Sequence, residues 1–139
     1  MRARRVTLAV VPFLLATAVW AAGQSKSPPL KDVPKDMRPY FVAFLVAGPK
    51  HVAGESPEHT ALLPRHLAFI RKMVGEKKMV FAGPFADEGR IFGITVLAAS
   101  SLEEATEWMD QDPAVKAGFF AHEIHPVLFP SLDTLRVRY

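Results

Sequence analysis

The chain predicts an α+β fold of the ferredoxin-like kind, β-α-β-β-α-β, in which two helices cover one face of a four-stranded antiparallel sheet. Three observations carry this expectation. Four short apolar runs, at residues 40–47, 79–84, 91–97 and 119–128, have the length and the aromatic and β-branched content of strands. Two stretches with helical spacing separate them, one closing near Gly75 and one opening at Ser101. The second and third runs are joined across Asp87-Glu88-Gly89-Arg90, a Gly-containing turn that makes a hairpin.

Taken in order, the chain opens on Arg2, Arg4 and Arg5, an apolar stretch at 6–19 interrupted by Pro12, and the small residues Ala21, Ala22 and Gly23. This is the layout of a secretory signal peptide, expected over residues 1–21 with cleavage after Ala21. The competing reading is an uncleaved anchor, but the stretch is short for a bilayer, which needs about 20 residues. The mature protein is thus expected to be periplasmic or secreted, with no membrane association after cleavage. Residues 22–39 carry Pro28, Pro29, Pro34 and Pro39 and read as a linker. A single domain is expected over 40–129, and a tail over 130–139 in which Leu135 to Tyr139 alternate as an added edge strand would.

Composition narrows the function. Without cysteine there are no disulfides, thiolate nucleophiles, zinc fingers or iron–sulfur clusters. The formal charge of +3 comes from the three leader arginines; without them, 14 of the 17 basic residues face 14 acidic ones. A neutral body with no basic run argues against nucleic acid as a partner.

Within the domain, the first strand ends at Gly48-Pro49, and the loop that follows should leave His51 exposed. Ser56-Pro57-Glu58 starts a helix that Pro64 is expected to break, so that the main helix begins near Leu63 or Pro64 and runs to Val74, with Gly75 as its cap. Leu63, Leu67, Ile70 and Val74 form its apolar stripe. His66 sits roughly 70° from the stripe's centre, at about 100° per residue, on the border of the buried face. Ser101-Leu102-Glu103-Glu104 is a capping-box pattern, and Leu102, Ala105, Trp108 and Met109 give that helix its inner face as far as Gln111. Asp112 then caps Pro113, and Gly118 releases the chain into the last strand. The strands are apolar on both faces, and helices cover one. A homodimer packed through the other is the expected remedy.

Arg65-His66-Leu67, Ala82-Gly83-Pro84, Gly93, Ser101-Leu102-Glu103-Glu104-Ala105 and Asp112-Pro113 with Ala117-Gly118 resemble, in order and spacing, the YciI-like (YCII-related) family over residues 40–128. The resemblance implies a dimeric α+β barrel and a His–Asp pair in a cleft, with His66 and Asp112 at the matching positions. One branch of the family is similar to a dehydrochlorinase of chlorinated rings, and for most members no reaction is known. The leader and linker depart from the family's short cytoplasmic pattern.

A carboxylate-oriented histidine can move a proton near neutral pH without a cofactor. His66 and Asp112 are therefore the candidate catalytic pair of a lyase or isomerase acting on a small molecule. Arg65, Gly83, Pro84 and His122 are the candidate substrate-binding residues. Two other readings stay open: a non-catalytic small-ligand module, and a structural dimer in which Asp112 does no more than cap. His122-Glu123-Ile124-His125 suggests a metal, but strand residues three apart point to opposite faces, so no metal is expected, and no cofactor is expected because proton transfer by the pair needs none.

Overall fold

The computed structural model describes residues 33–54 and 56–139; the leader at 1–21 and most of the linker lie outside the described residues. The element order is β1 (Met37–Ala47), α1 (Pro57–Gly75), β2 (Met79–Pro84), β3 (Ile91–Leu97), α2 (Leu102–Met109), a one-turn α3 (Pro113–Lys116) and β4 (Phe120–Pro130). The strands lie in the order β2-β3-β1-β4, every pair antiparallel. The expected β-α-β-β-α-β order holds, with α3 as an extra turn at the Asp112-Pro113 corner.

β1 starts at Met37 because Met37, Arg38 and Pro39 pair with Pro130, Phe129 and Leu128 of β4. The linker expected to reach residue 39 therefore gives way to strand three residues early. Proline has no N–H to donate and belongs at sheet margins. Accordingly Pro84 ends the outer strand β2, Pro126 and Pro130 lie in the outer strand β4, and Pro39 precedes the part of β1 paired to β3.

Pairing sets which residues share a face. Phe41, Ala43 and Leu45 look toward the helices and pack with Leu97, Met79, Phe69, Ile70, Met73, Ala105 and Met109. Burying side chains such as Met73, Leu97 and Met109 is worth about 1.5–3 kcal/mol each. The second face groups Tyr40, Val42 and Val96 with Phe44, Phe81, Ile94, Val127 and Phe129.

α1 differs from expectation in three ways. It is one continuous helix from Pro57, capped by Ser56, whose hydroxyl accepts the His59 N–H at 3.1 Å. Pro64 removes a single hydrogen bond, to Thr60, and both residues are exposed, so water can reach the freed carbonyl. The helix also passes through Gly75; Lys77, at φ 59°, makes the left-handed exit instead. Finally, its buried residues are His66, Phe69, Ile70 and Met73, while Leu63 is 42% exposed. The inward stripe is thus rotated from the expected one, and His66 lies inside it rather than on its border.

α2 starts as its capping pattern implies. The Ser101 hydroxyl accepts the Glu104 N–H, while the Glu104 carboxylate reaches back to the Ser100 N–H and hydroxyl. Residues 135–139 form no strand; the tail instead returns across the molecule to β2 through Tyr139.

Candidate active site

The chemistry gathers where the α2–α3 corner meets α1. Asp112 is the cap of α3, and its Oδ1 accepts the Ala114 N–H at 2.9 Å. Its own N–H donates to Met109 and its carbonyl accepts from Lys116, so both backbone and carboxylate are held. The remaining oxygen, Oδ2, lies 2.6 Å from His66 Nδ1. Asp112 is 0% exposed and His66 8%. An ionised carboxylate can only accept, which places the shared proton on Nδ1. The other ring nitrogen, Nε2, has no hydrogen-bond partner among the described residues.

The corner is pinned to the rest of the sheet by two glycines. Gly118, at φ +77°, turns the chain into β4, and its carbonyl accepts the Lys50 N–H. Gly48 donates to the Phe119 carbonyl, and a Cβ on Gly48 would lie 2.2 Å from the Gly118 oxygen. Only the bare backbone fits there.

His66 lines a cavity of about 520 Å³ between α1 and the end of the sheet formed by β2 and β3. His66 lines it and Asp112 does not, so the imidazole is the member of the pair that reaches the space. Leu67 and Ile70 of α1, Gly83 and Pro84 of β2, Gly93 and Thr95 of β3, and Phe119 and Phe120 supply much of the wall. No Lys, Arg, Asp or Glu is among the described residues lining it. The cavity is an apolar chamber with a few polar points, the usual make-up of a small-molecule site. The lining residues with polar side chains are His51, His59, His66, Thr95 and Tyr139.

Of the residues singled out in the sequence, His66, Asp112, Gly83 and Pro84 meet at or beside this cavity. Arg65 and His122 do not. Arg65 is one residue from the inward His66, about 100° around the helix, and is exposed. His122 does face the helix side of β4, but its Nε2 is bonded to Asp110 at 2.8 Å, beyond the end of α2. His125 lies near Phe44 on the opposite face, as the pleat requires. Among the described residues no group of three or more His, Cys, Asp or Glu could hold a metal ion.

Two lining histidines escaped the sequence reading. His51, expected to be exposed, stacks on Phe92 at 4.7 Å and 24° and leans on Phe119, also at 4.7 Å. Its Nδ1 is buried without a partner among the described residues. His59 stacks on Phe119 at 4.8 Å and 14°. A histidine followed by Gly54 looks like loop, and nothing local announces that the loop folds over the start of β4.

A family model described as the YCII-related domain matches residues 40–127. An uncharacterized protein of Haemophilus influenzae is 29% identical over 93 residues, covering 61% of this chain and 91% of that protein. Among solved structures, the 5-chloro-2-hydroxyhydroquinone dehydrochlorinase of Burkholderia phenoliruptrix, in complex with 2,5-dihydroxybenzoquinone, is 21% identical. That match covers 62% of this chain and 90% of the other, with a TM-score of 0.48.

Proposed function

Because this chain belongs to the YCII-related domain family, we propose that it converts a small organic molecule by proton transfer, as a lyase or isomerase, with His66 as the acid/base group and Asp112 as its orienting partner. The observation that carries this is the buried 2.6 Å pair, whose histidine lines an apolar cavity. In this reading Nε2 of His66 removes a proton from a carbon next to a carbonyl. The Asp112 carboxylate stabilises the imidazolium so formed. Return of that proton to another carbon completes an isomerisation. In an elimination, the electron pair left on carbon instead forms a double bond as a leaving group departs with its own pair, and the imidazolium gives its proton to solvent. In this reading Thr95, which lines the cavity, bonds a ligand carbonyl through its hydroxyl. The apolar wall favours a neutral or weakly polar ligand over a highly charged one.

A second reading, a non-catalytic protein in which the pair only serves the fold, is favoured by one feature: Asp112 already serves as the cap of α3, which gives the pair a structural reason to exist. The two readings part on turnover. Lactones, enol acids and halogenated ring acids would be incubated with the protein and with His66→Ala, and products followed by NMR. Loss of turnover by about 10²-fold or more in His66→Ala is the expected result. Equal turnover by both proteins, or binding with no turnover of any compound, would overturn the catalytic reading.

We propose in addition that the protein works as a homodimer through its second sheet face, and that the leader delivers it to the periplasm or the medium.

A further inference from the structure

After Pro130 the chain leaves β4 on one margin of the sheet, yet Tyr139 sits against β2 on the other. The tail between them is fastened at two places. Leu132 donates its N–H to the Tyr40 hydroxyl at 2.9 Å. The Tyr139 hydroxyl accepts the Ala82 N–H and donates to the Ala82 carbonyl. In an outer antiparallel strand, alternate residues turn both backbone groups away from the sheet. Tyr139 satisfies both at Ala82 with one hydroxyl. Between the fastenings, Leu135 and Val137 line a groove of about 580 Å³ with Val74, Met79 and Val80. Little packing holds the middle of the tail.

Tyr139 also lines the His66 cavity, beside Ala82 and Gly83, while remaining 49% exposed. It lies beyond the 40–127 stretch that the family model matches. A wall of the site is therefore built from outside the domain common to the family.

We propose that Tyr139 is a specificity-determining residue: the tail is a strap whose aromatic end closes the cavity at β2 and limits the length of the ligand accepted. This rests on the cavity being the ligand site, but not on proton transfer by His66. The strap holds through a hydroxyl on two backbone groups, so it can release locally without disturbing the sheet.

The test compares two neutral probes, 1-naphthol and the longer N-phenyl-1-naphthylamine, titrated by fluorescence into the full chain, Tyr139→Phe and Tyr139→Ala. Hydrogen exchange at the Ala82 amide is read in parallel. The wild type should bind the longer probe at least tenfold more weakly than 1-naphthol. In Tyr139→Ala the difference should shrink below threefold through a gain for the longer probe. The Ala82 amide should exchange at least tenfold faster in both variants. An unchanged Ala82 exchange in Tyr139→Phe, or an unmoved probe ratio in a Tyr139→Ala protein that still binds 1-naphthol, overturns the proposal and leaves the His66 reading standing. Failure of every variant to bind either probe overturns the cavity as a ligand site, and this proposal with it.

Discussion

His66 Nδ1 and Asp112 Oδ2 meet at 2.6 Å across 46 residues of sequence, and the contact ties α1 to the corner between α2 and α3. Both partners are buried, so solvent screens the pair little. The bond is structural and chemical at once: it fixes the ring's tautomer and joins two helices.

Replacing Asp112 with Ala should be costly for stability. The change strips partners from His66 Nδ1 and from the Ala114 N–H, both inside the protein. Breaking a buried pair typically costs about 3–5 kcal/mol, which in a domain of this size lowers Tm by at least ~10 °C. Thermal melts followed by circular dichroism would show it. A loss below about 1 kcal/mol would mean that the carboxylate is not held as described.

Gly48→Ala should be worse tolerated than its surface setting suggests. The added methyl would meet the Gly118 oxygen at 2.2 Å, too close for any contact, and would force β1 and the Phe119 corner apart. Overpacking of this kind costs about 1–3 kcal/mol. Denaturant titration against Gly75→Ala, where a Cβ meets nothing within 4 Å, gives the control. Equal midpoints for the two variants would contradict the close approach.

Phe44→Asp addresses the dimer. Phe44 lies on the second sheet face with Ile94, Phe81 and Val127, and no helix of the described residues covers that face. Sedimentation velocity should show a dimer for the wild type and a shift toward monomer for the variant. A wild-type protein that sediments as a monomer at all concentrations would end the proposal.

Arg90→Gln tests a surface pair whose effect on pH is clear in sign. The Arg90 guanidinium, hydrogen-bonded at 2.6 Å, holds the Glu123 carboxyl below its ordinary value of 4.5. A carboxyl lowered on folding contributes stability above its unfolded pKa, and that contribution fades as pH falls through the lower folded value. Both side chains are exposed, so the contribution is small. An NMR titration should move the Glu123 midpoint upward in the variant; an unmoved midpoint would show that the pair does not persist in solution.

Much of the fold was legible because local rules and tertiary packing agree. β2 and β3 run between the expected residues since Gly-Pro and Asp-Glu-Gly punctuate them, and Asp112 caps as its Asp-Pro context implies. α1 was misread where they conflict. Pro64 is a helix breaker by rule, but it stands on the solvent side, where one lost bond matters little. Its stripe was drawn through Leu63, Leu67, Ile70 and Val74, yet Phe69 and Met73 fill the core more fully than Leu63 does. The cavity's further imidazoles were hidden for a different reason. His51 reaches Phe119 where Gly48 and Lys50, just before it, bond to Phe119 and Gly118, and His59 meets the same ring from the first turn of α1. Contacts set by such distant pairing leave no periodic trace in the sequence.

The prolines along the two outer strands have one more effect. A bare strand edge invites another copy's strand to zip onto it, and the resulting ribbon can grow without limit. Here Pro126 and Pro130 interrupt one flank and Pro84 blunts the other, so neither offers an unbroken row of donors. Growth of such a ribbon from either border is thereby disfavoured relative to an unpunctuated strand.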